Sequence, residues 1–501
     1  MTADMKTVGH WIDGRHVSGT GRTMPLFNPS RGEQIGAVTL GDAATVETAV
    51  AAASAVFAEW ADTPVGARVR HLRRWHQLIT ANQDQLVALL GVEQGKVQAD
   101  AEGELMRALE TLDVACAAPL IVKGEFSSSI SRDIDVSSVR LPLGVCAAVT
   151  PFNFPVMAPV YLSSIALACG NTYIVKPSER APSAAVRLAE LAQEAGLPDG
   201  VLNVVQGDAP VVDSILTHPA IQAVSFIGSS PVARHVYATG AANGKRVQAF
   251  GGAKNHLVVL PDADLAGAAD AAVSAAFGST GQRCMAISVV VAVGECADDV
   301  VKLIADRVAQ LRVGPADVED TEMGPLISAE AQTRVTAAIN DAERAGADVV
   351  VDGRGYVPPG YLGGYFVGPT LIDHVLPSHQ VYQDEVFGPV LCVVRTHDLA
   401  EALALLEQSP FGNGASIFTS NGAAARTFQH RAQAGMVGVN VPIPIPNAAY
   451  SFGGWKESRF GDQHMAGTEG FRFYTQQKVL TTRWPGEAAG GTGVELAFPG
   501  R

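Results

Sequence analysis

The sequence contains no C-x-x-C pair, no H-x-x-x-H pair and no G-x-G-x-x-G turn. Its six cysteines (116, 146, 169, 284, 296 and 392) are scattered, a usage expected of reduced intracellular thiols and not of a disulfide framework. With the 12 histidines also unpaired in spacing, no metal site is expected. Positive charge is scarce: 36 Lys and Arg stand against 50 Asp and Glu, for a net charge of −14. That balance disfavours nucleic acid or an anionic membrane as partner. Any anionic cofactor must therefore meet locally placed cations. No apolar run reaches membrane length, and residues 1–11 hold no apolar leader, so a cytoplasmic protein without membrane contact is expected.

What is present is ordinary globular material: 501 residues, 47% apolar and rich in glycine, enough for two or three domains. Residues 9–40 read as short strands and turns. Residues 43–119 read as helices (44–60, 64–82, and one long segment from 84 through 110), because apolar positions recur at three and four. Residues 127–142 alternate like a strand pair. From 145 to 260 strands and helices take turns, with strands at 145–149, 172–175, 201–205, 223–227 and 246–250. Pro182 is placed for the first turn of a helix that Gly196 ends. This alternation predicts a parallel, doubly wound sheet whose ligands lie beyond the carboxyl ends of its strands. A second α/β run spans about 256–440. A Pro/Gly-rich loop follows at 441–462, then a last strand at 476–484 and a Gly-rich tail expected to be loosely ordered.

Polar residues collect at the predicted strand ends. Ser279-Thr-Gly-Gln-Arg283-Cys284-Met-Ala joins an Ala-rich helix (266–277) to an apolar strand (287–293). Cys284 there is either a buried free thiol or a nucleophile whose thiolate the Arg283 cation favours. Phe226-Ile-Gly228-Ser229 precedes Pro231, and such a turn at a helix start offers N–H groups to a pyrophosphate or is only a turn. Lys176 and Glu179 are a surface pair or a ribose site, in which the carboxylate would repel a 2′-phosphate. Asn153 is a turn residue or an amide aimed at an oxyanion.

In order and spacing, Thr150-Pro-Phe152-Asn153-Phe154-Pro, Lys176-Pro-Ser-Glu179, Phe226-Ile-Gly-Ser229, Gly281-Gln-Arg-Cys284 and Glu385-Val-Phe387-Gly-Pro resemble the aldehyde dehydrogenase superfamily, from about Trp11 to Trp484. Gly281-Gln-Arg-Cys284-Met-Ala, Ala253-Lys-Asn-His256, Val439-Asn-Val-Pro-Ile-Pro and Ser451-Phe452-Gly-Gly-Trp resemble its CoA-acylating methylmalonate-semialdehyde dehydrogenases. The resemblance implies an α/β fold with an NAD-binding domain (1–125 and 145–255), a catalytic domain (256–445), a small β oligomerisation arm (126–144 and 470–485) and an active-site loop (446–469). It implies Cys284 as nucleophile and Asn153, with the Cys284 N–H, as oxyanion donor. Contacts to NAD fall to Thr150, Phe152, Lys176, Glu179, Arg180, Gly228, Ser229, Gly251, Glu385 and Phe387. Substrate contacts fall to Phe154 and Phe452 as aromatic walls, and to Arg107 and Arg283 as carriers of a substrate carboxylate. A homotetramer, built as a pair of dimers, is also implied.

One departure bears on the second half-reaction. Most of the superfamily has a water-activating glutamate four residues before Lys254, where this chain has Phe250. No Asp or Glu occurs between Asp213 and Asp262, so no shift of register supplies one. Water, with a pKa of about 15.7, needs a base, whereas a thiol of pKa about 8.5 is already partly ionised at neutral pH. A thiol acceptor is thus expected; the resemblance implies that it is coenzyme A, yielding propionyl-CoA or acetyl-CoA with loss of carbon dioxide. The alternative is a hydrolytic dehydrogenase that releases a free acid. The methylmalonate-semialdehyde enzymes usually carry a small polar residue at this position, so Phe250 is unusual even among them.

Overall fold

Runs such as Val145–Val149 and Ile287–Val293 are apolar at nearly every position, as strands covered on both faces must be. The computed structural model, which describes residues 7–484 apart from Thr20 and Arg132, places each at the centre of its own sheet. The Gly-rich tail lies outside the described residues.

The first sheet runs, edge to edge, Arg459–Phe460, Arg246–Phe250, Ile221–Ile227, Val145–Val149, Thr172–Lys176, Leu202–Val204, His10–Ile12 and Arg15–Val17. Its middle strands are parallel, and both ends are closed by antiparallel pairs. Two apolar clusters cover its faces. The second sheet runs Asp348–Val351, Thr370–Asp373, Val390–Thr396, Ile287–Val293, Asn255–Val259, Gly414–Phe418 and Met436–Val439, parallel except at the first pair, and is likewise buried on both faces. A third, antiparallel sheet pairs Thr475–Arg483 with Ile134–Pro142 along their whole length and adds Phe126–Ser131.

Some local expectations change. The long helix expected from 84 through 110 is two helices, Gln83–Glu93 and Gln98–Cys116. Gly95 breaks it by adopting a left-handed φ of 78°, and a Cβ there would stand 2.6 Å from Pro325. Pro182 precedes the helix Ser183–Glu194 and does not sit inside its first turn. The loop expected at 441–462 contains a short strand, Arg459–Phe460, that pairs with the far end of Arg246–Phe250 and so brings the loop back to the first sheet. The segment expected as an arm from 470 begins inside the helix Gly467–Phe473, and only Thr475–Arg483 is strand.

Candidate active site

The turn before Cys284 is built against conformational preference. Ser279 (φ 52°) and Thr280 (φ 57°) are left-handed, as is Gly281 (φ 70°). Each non-glycine residue held there costs on the order of 1–2 kcal/mol. The surroundings hold the turn in place. The Ser279 N–H donates to Asp100 at 2.6 Å, the Thr280 hydroxyl to the Gly324 carbonyl at 2.9 Å, and the Gln282 carboxamide accepts from Ile327 N–H at 3.1 Å. Gly281 is required twice over, because a Cβ would lie 2.1 Å from the Gly388 carbonyl oxygen. Downstream, the Cys284 carbonyl accepts from the amides of both Asn255 (2.9 Å) and Asn413 (3.0 Å).

Cys284 is partly buried and lines a cavity of about 230 Å³. Asn153, Phe154, Tyr161, Phe452 and Met465 also line it, with Arg107 from the helix Gln98–Cys116 and Arg283 from the cysteine turn. The thiol is pushed up to about 12, first by burial and then by the charge of Glu385. The backbone N–H groups of Cys284 and Met285 and the Arg283 cation oppose this and do not overcome it. The pull expected of Arg283 is thus the weakest influence on the thiol.

The Asn153 amide donates to the Gln282 carbonyl at 2.9 Å, linking the first sheet's strand end to the cysteine turn. Phe452 meets Tyr161 edge to face at 6.3 Å. Both arginines already hold carboxylates: Arg107 pairs with Glu110 at 2.8 Å, and Arg283 pairs with Asp100. Phe250 is 4% exposed and packs in the core with Met465 and Phe452, its ring pressed toward Gly453.

A second group of residues collects at the carboxyl ends of the first sheet's strands. Thr150 N–H bonds the Lys176 carbonyl at 3.0 Å, while the Thr150 hydroxyl is buried without a partner. Lys176 and Glu179 pair at 3.1 Å. Ser229 precedes the helix Ser230–Ala242 without capping it by its side chain, which leaves that helix start open to an anion. Gly251 and Gly252 pass so close to Ser230, Glu457 and Glu385 that a side chain at either would clash. Gly228 N–H bonds the Phe250 carbonyl at 3.0 Å. Across the cleft, Glu385 accepts from Ala253 N–H at 3.1 Å, and burial raises its carboxyl to about 7. Lys254 anchors that segment by donating to the Val381 and Asp384 carbonyls at 2.6 and 2.8 Å. Phe387 is left-handed (φ 53°) and sets its ring edge-on to Phe152 at 5.8 Å. Arg180 instead reaches Glu330, at 3.6 Å. An orphaned hydroxyl, an uncapped helix start, a Lys–Glu pair and a carboxylate across the cleft fit a dinucleotide laid along these strand ends.

The chain matches the aldehyde dehydrogenase family over residues 16–480. It belongs to that family. The malonate-semialdehyde dehydrogenase of Pseudomonas aeruginosa is 49% identical, covering 99% of this chain and all of that protein. The corresponding enzyme 1 of Oceanobacillus iheyensis is 46% identical, covering 95% and 97%. The crystal structure of methylmalonate-semialdehyde dehydrogenase from Oceanimonas doudoroffii superposes with a TM-score of 0.95 at 48% identity, covering 96% and 99%. A Sinorhizobium meliloti structure assigned to the same enzyme and complexed with NAD has a TM-score of 0.96 at 48% identity, covering 97% and 99%.

Several cavity residues escaped the sequence reading. Asp100, Glu104 and Glu110 share one helix with Arg107, which the sequence reading did name, and the four recur at four, three and three, a stripe that could have been noticed as a single face. Tyr161 lies on the helix Met157–Ala168 that follows Phe154, and burial beside Cys284 keeps its hydroxyl protonated. Lys96 left no local signal.

Proposed function

We propose that the protein is an NAD-dependent, CoA-acylating dehydrogenase of malonate and methylmalonate semialdehyde. The observation that carries this reading is one cavity lined by Cys284, Asn153, Arg107 and Arg283 together with apolar side chains such as Phe154, Phe452 and Met465. Such a chamber suits a short aldehyde with a carboxylate at its far end. The names and NAD content of the relatives point the same way.

In this mechanism the Cys284 thiolate adds to the aldehyde carbon. The oxyanion is held by the Asn153 amide and the Cys284 N–H, as hydrogen-bond donors fixed in place before charge develops. NAD, when bound, supplies the hydride acceptor. Glu385 and Phe387 would hold its nicotinamide end; Thr150, Phe152, Lys176, Glu179, Arg180, Gly228, Ser229 and Gly251 the rest. A thioester remains on Cys284; the thiolate of coenzyme A attacks it and the Cys284 thiolate leaves. The acyl group's carboxylate lies on the adjacent carbon, so it is lost as carbon dioxide, the electron pair passing toward the thioester carbonyl and a proton from water taking the vacated position, which gives propionyl-CoA or acetyl-CoA.

The substrate carboxylate must share its arginines with the acids already there. The Arg107–Glu110 pair joins partly exposed side chains three residues apart on a helix, worth about 0.5 kcal/mol, so Arg107 is released cheaply. Arg283 keeps Asp100 and offers its remaining N–H donors.

The division into an NAD-binding unit (1–125 with 145–255), a catalytic unit (256–445), an arm (126–144 with 470–485) and a returning loop (446–469) belongs to this reading. So do a homotetramer joined through the arm and a cytoplasmic location.

One observation favours the hydrolytic alternative: Glu385, its carboxyl raised to about 7, lines a small cavity with Cys284 and has the affinity for protons that a base for water needs. Product analysis after one turnover with methylmalonate semialdehyde decides between them. The expected result is a single burst of NADH without coenzyme A, and propionyl-CoA with continued turnover when it is added. Steady NADH production without coenzyme A would overturn the acylating reading. Cys284→Ala should abolish the burst, and a surviving burst would remove Cys284 from its role.

A further inference from the structure

Lys96 and Glu104 form an ion pair in the interior, their side chains 1% and 0% exposed. Burying two charges costs several kcal/mol per ion, and the pair's own attraction offsets this only when every remaining donor and acceptor is also satisfied. Here the remaining contacts all go to one short segment. Lys96 Nζ donates to the Asn153 carbonyl at 2.7 Å, and it stands 4.6 Å from the centre of the Phe154 ring. Glu104 accepts the Val156 and Met157 N–H groups at 2.7 and 2.9 Å. Those N–H groups open the helix Met157–Ala168, which Val156 cannot cap with its own side chain. A carboxylate from another helix therefore serves as that cap, where the helix dipole favours a negative charge.

The segment so clamped, 153–157, is the one that carries the Asn153 amide and the Phe154 wall. Lys96 holds the Asn153 carbonyl, and from that fixed backbone the Asn153 side-chain amide donates to the Gln282 carbonyl beside the cysteine turn. A pair serving stability alone would gain by replacement with neutral groups of the same size, since buried ion pairs are often matched or bettered by such residues. We propose that Lys96 and Glu104 are positioning residues for the oxyanion hole, holding the Asn153 amide where charge develops on the aldehyde oxygen. This rests on the aldehyde-oxidising reading and deepens it.

The test uses the full-length protein with NAD and propanal, an aldehyde that lacks a carboxylate and so does not engage Arg107 or Arg283. In the double variant Lys96→Met/Glu104→Gln both charges leave together and none is stranded. The expected result is an NADH burst slowed about a hundredfold, the cost of misplacing or losing one oxyanion donor. The KM for propanal, the unfolding temperature and the rate of Cys284 alkylation should stay near those of the parent. A folded double variant with the parent burst rate, or with the loss confined to KM, overturns the proposal. Should that variant not fold, Lys96→Arg decides: it keeps the charge and the pair but moves the donor off the Asn153 carbonyl, so the burst should slow, and a parent rate again overturns the proposal. A parent protein that gives no burst with any aldehyde would fail the catalytic reading instead.

Discussion

At the scale of the residue, Cys284, the nucleophile of the proposed mechanism, carries a thiol held back from ionising. Burial and the Glu385 charge together outweigh Arg283 and two backbone N–H groups, so the thiol sits near 12. Alkylation by iodoacetamide without cofactor should therefore rise about tenfold per pH unit from 7 to 10 without levelling, since only the thiolate reacts. A plateau near 8.5 would contradict this. Glu385→Gln removes the like charge and should speed alkylation at pH 8, about tenfold for each unit the pKa falls; an unchanged rate would show that the two groups do not interact. At the substrate end, Glu110→Gln frees Arg107 and should lower the KM for malonate semialdehyde about twofold, with propanal unaffected. Equal effects on both aldehydes would remove Glu110 from the carboxylate site.

At the scale of the element, the strained turn 278–281 is the feature most open to test. Gly281→Ala places a methyl group on the Gly388 carbonyl and holds alanine in a left-handed conformation. The expected loss is about 2–4 kcal/mol, read as a fall in denaturant midpoint, together with loss of the NADH burst. Parent stability would show that the turn has room to relax. Elements also explain what the sequence could tell. Asn153, Lys176 and Ser229 stood out as candidates because each ends a strand or precedes a helix, and Cys284 because it lies in the turn between an Ala-rich helix and an apolar strand, where an apolar run stops at a polar residue. The split at Gly95 was not: apolar spacing continues through it, and only the approach of Pro325 shows why the chain turns there. The Lys96–Glu104–Asn153 cluster was invisible for a related reason, because its members are brought together by packing and share no local pattern. That Phe250 stands where most of the superfamily has glutamate is plain in the sequence, but its burial beside Gly453 could not be inferred from its neighbours in sequence.

At the scale of the whole molecule, charge and exposed surface each make a prediction. His10 and His256 are buried, and burial lowers them to about 4 and about 3. The folded protein keeps both neutral where the unfolded chain, with pKa about 6.5, binds protons, so stability should fall as pH drops from about 6.5 to 4. Glu385 acts in the opposite sense over about 4.3 to 7, being protonated in the fold and ionised in the unfolded chain, and it offsets part of the loss. Melting temperatures from pH 7.5 to 4.5 should show a net fall, and His256→Gln should flatten it; an identical slope in that variant would discount the histidine. The strand Thr475–Arg483 leaves Val479 and Leu480 exposed at one edge of its sheet, and Phe126 and Ile130 are exposed on the strand at the other edge; among the described residues neither edge strand has a further partner. Val479→Asp/Leu480→Asp should shift the protein to a smaller species in light scattering after size exclusion, and an unchanged mass would place the assembly surface elsewhere.

In the proposed mechanism the Asn153 amide comes from beyond a strand end of one sheet, and the sulfur it serves lies just before the central strand of the other. Any motion that parts the two sheets to let a spent dinucleotide leave must also draw donor from nucleophile. An acylated enzyme caught in that open posture would be unable to react with solvent or with thiol until it shut again, so the fold itself would guard its activated cargo while the cofactor is exchanged.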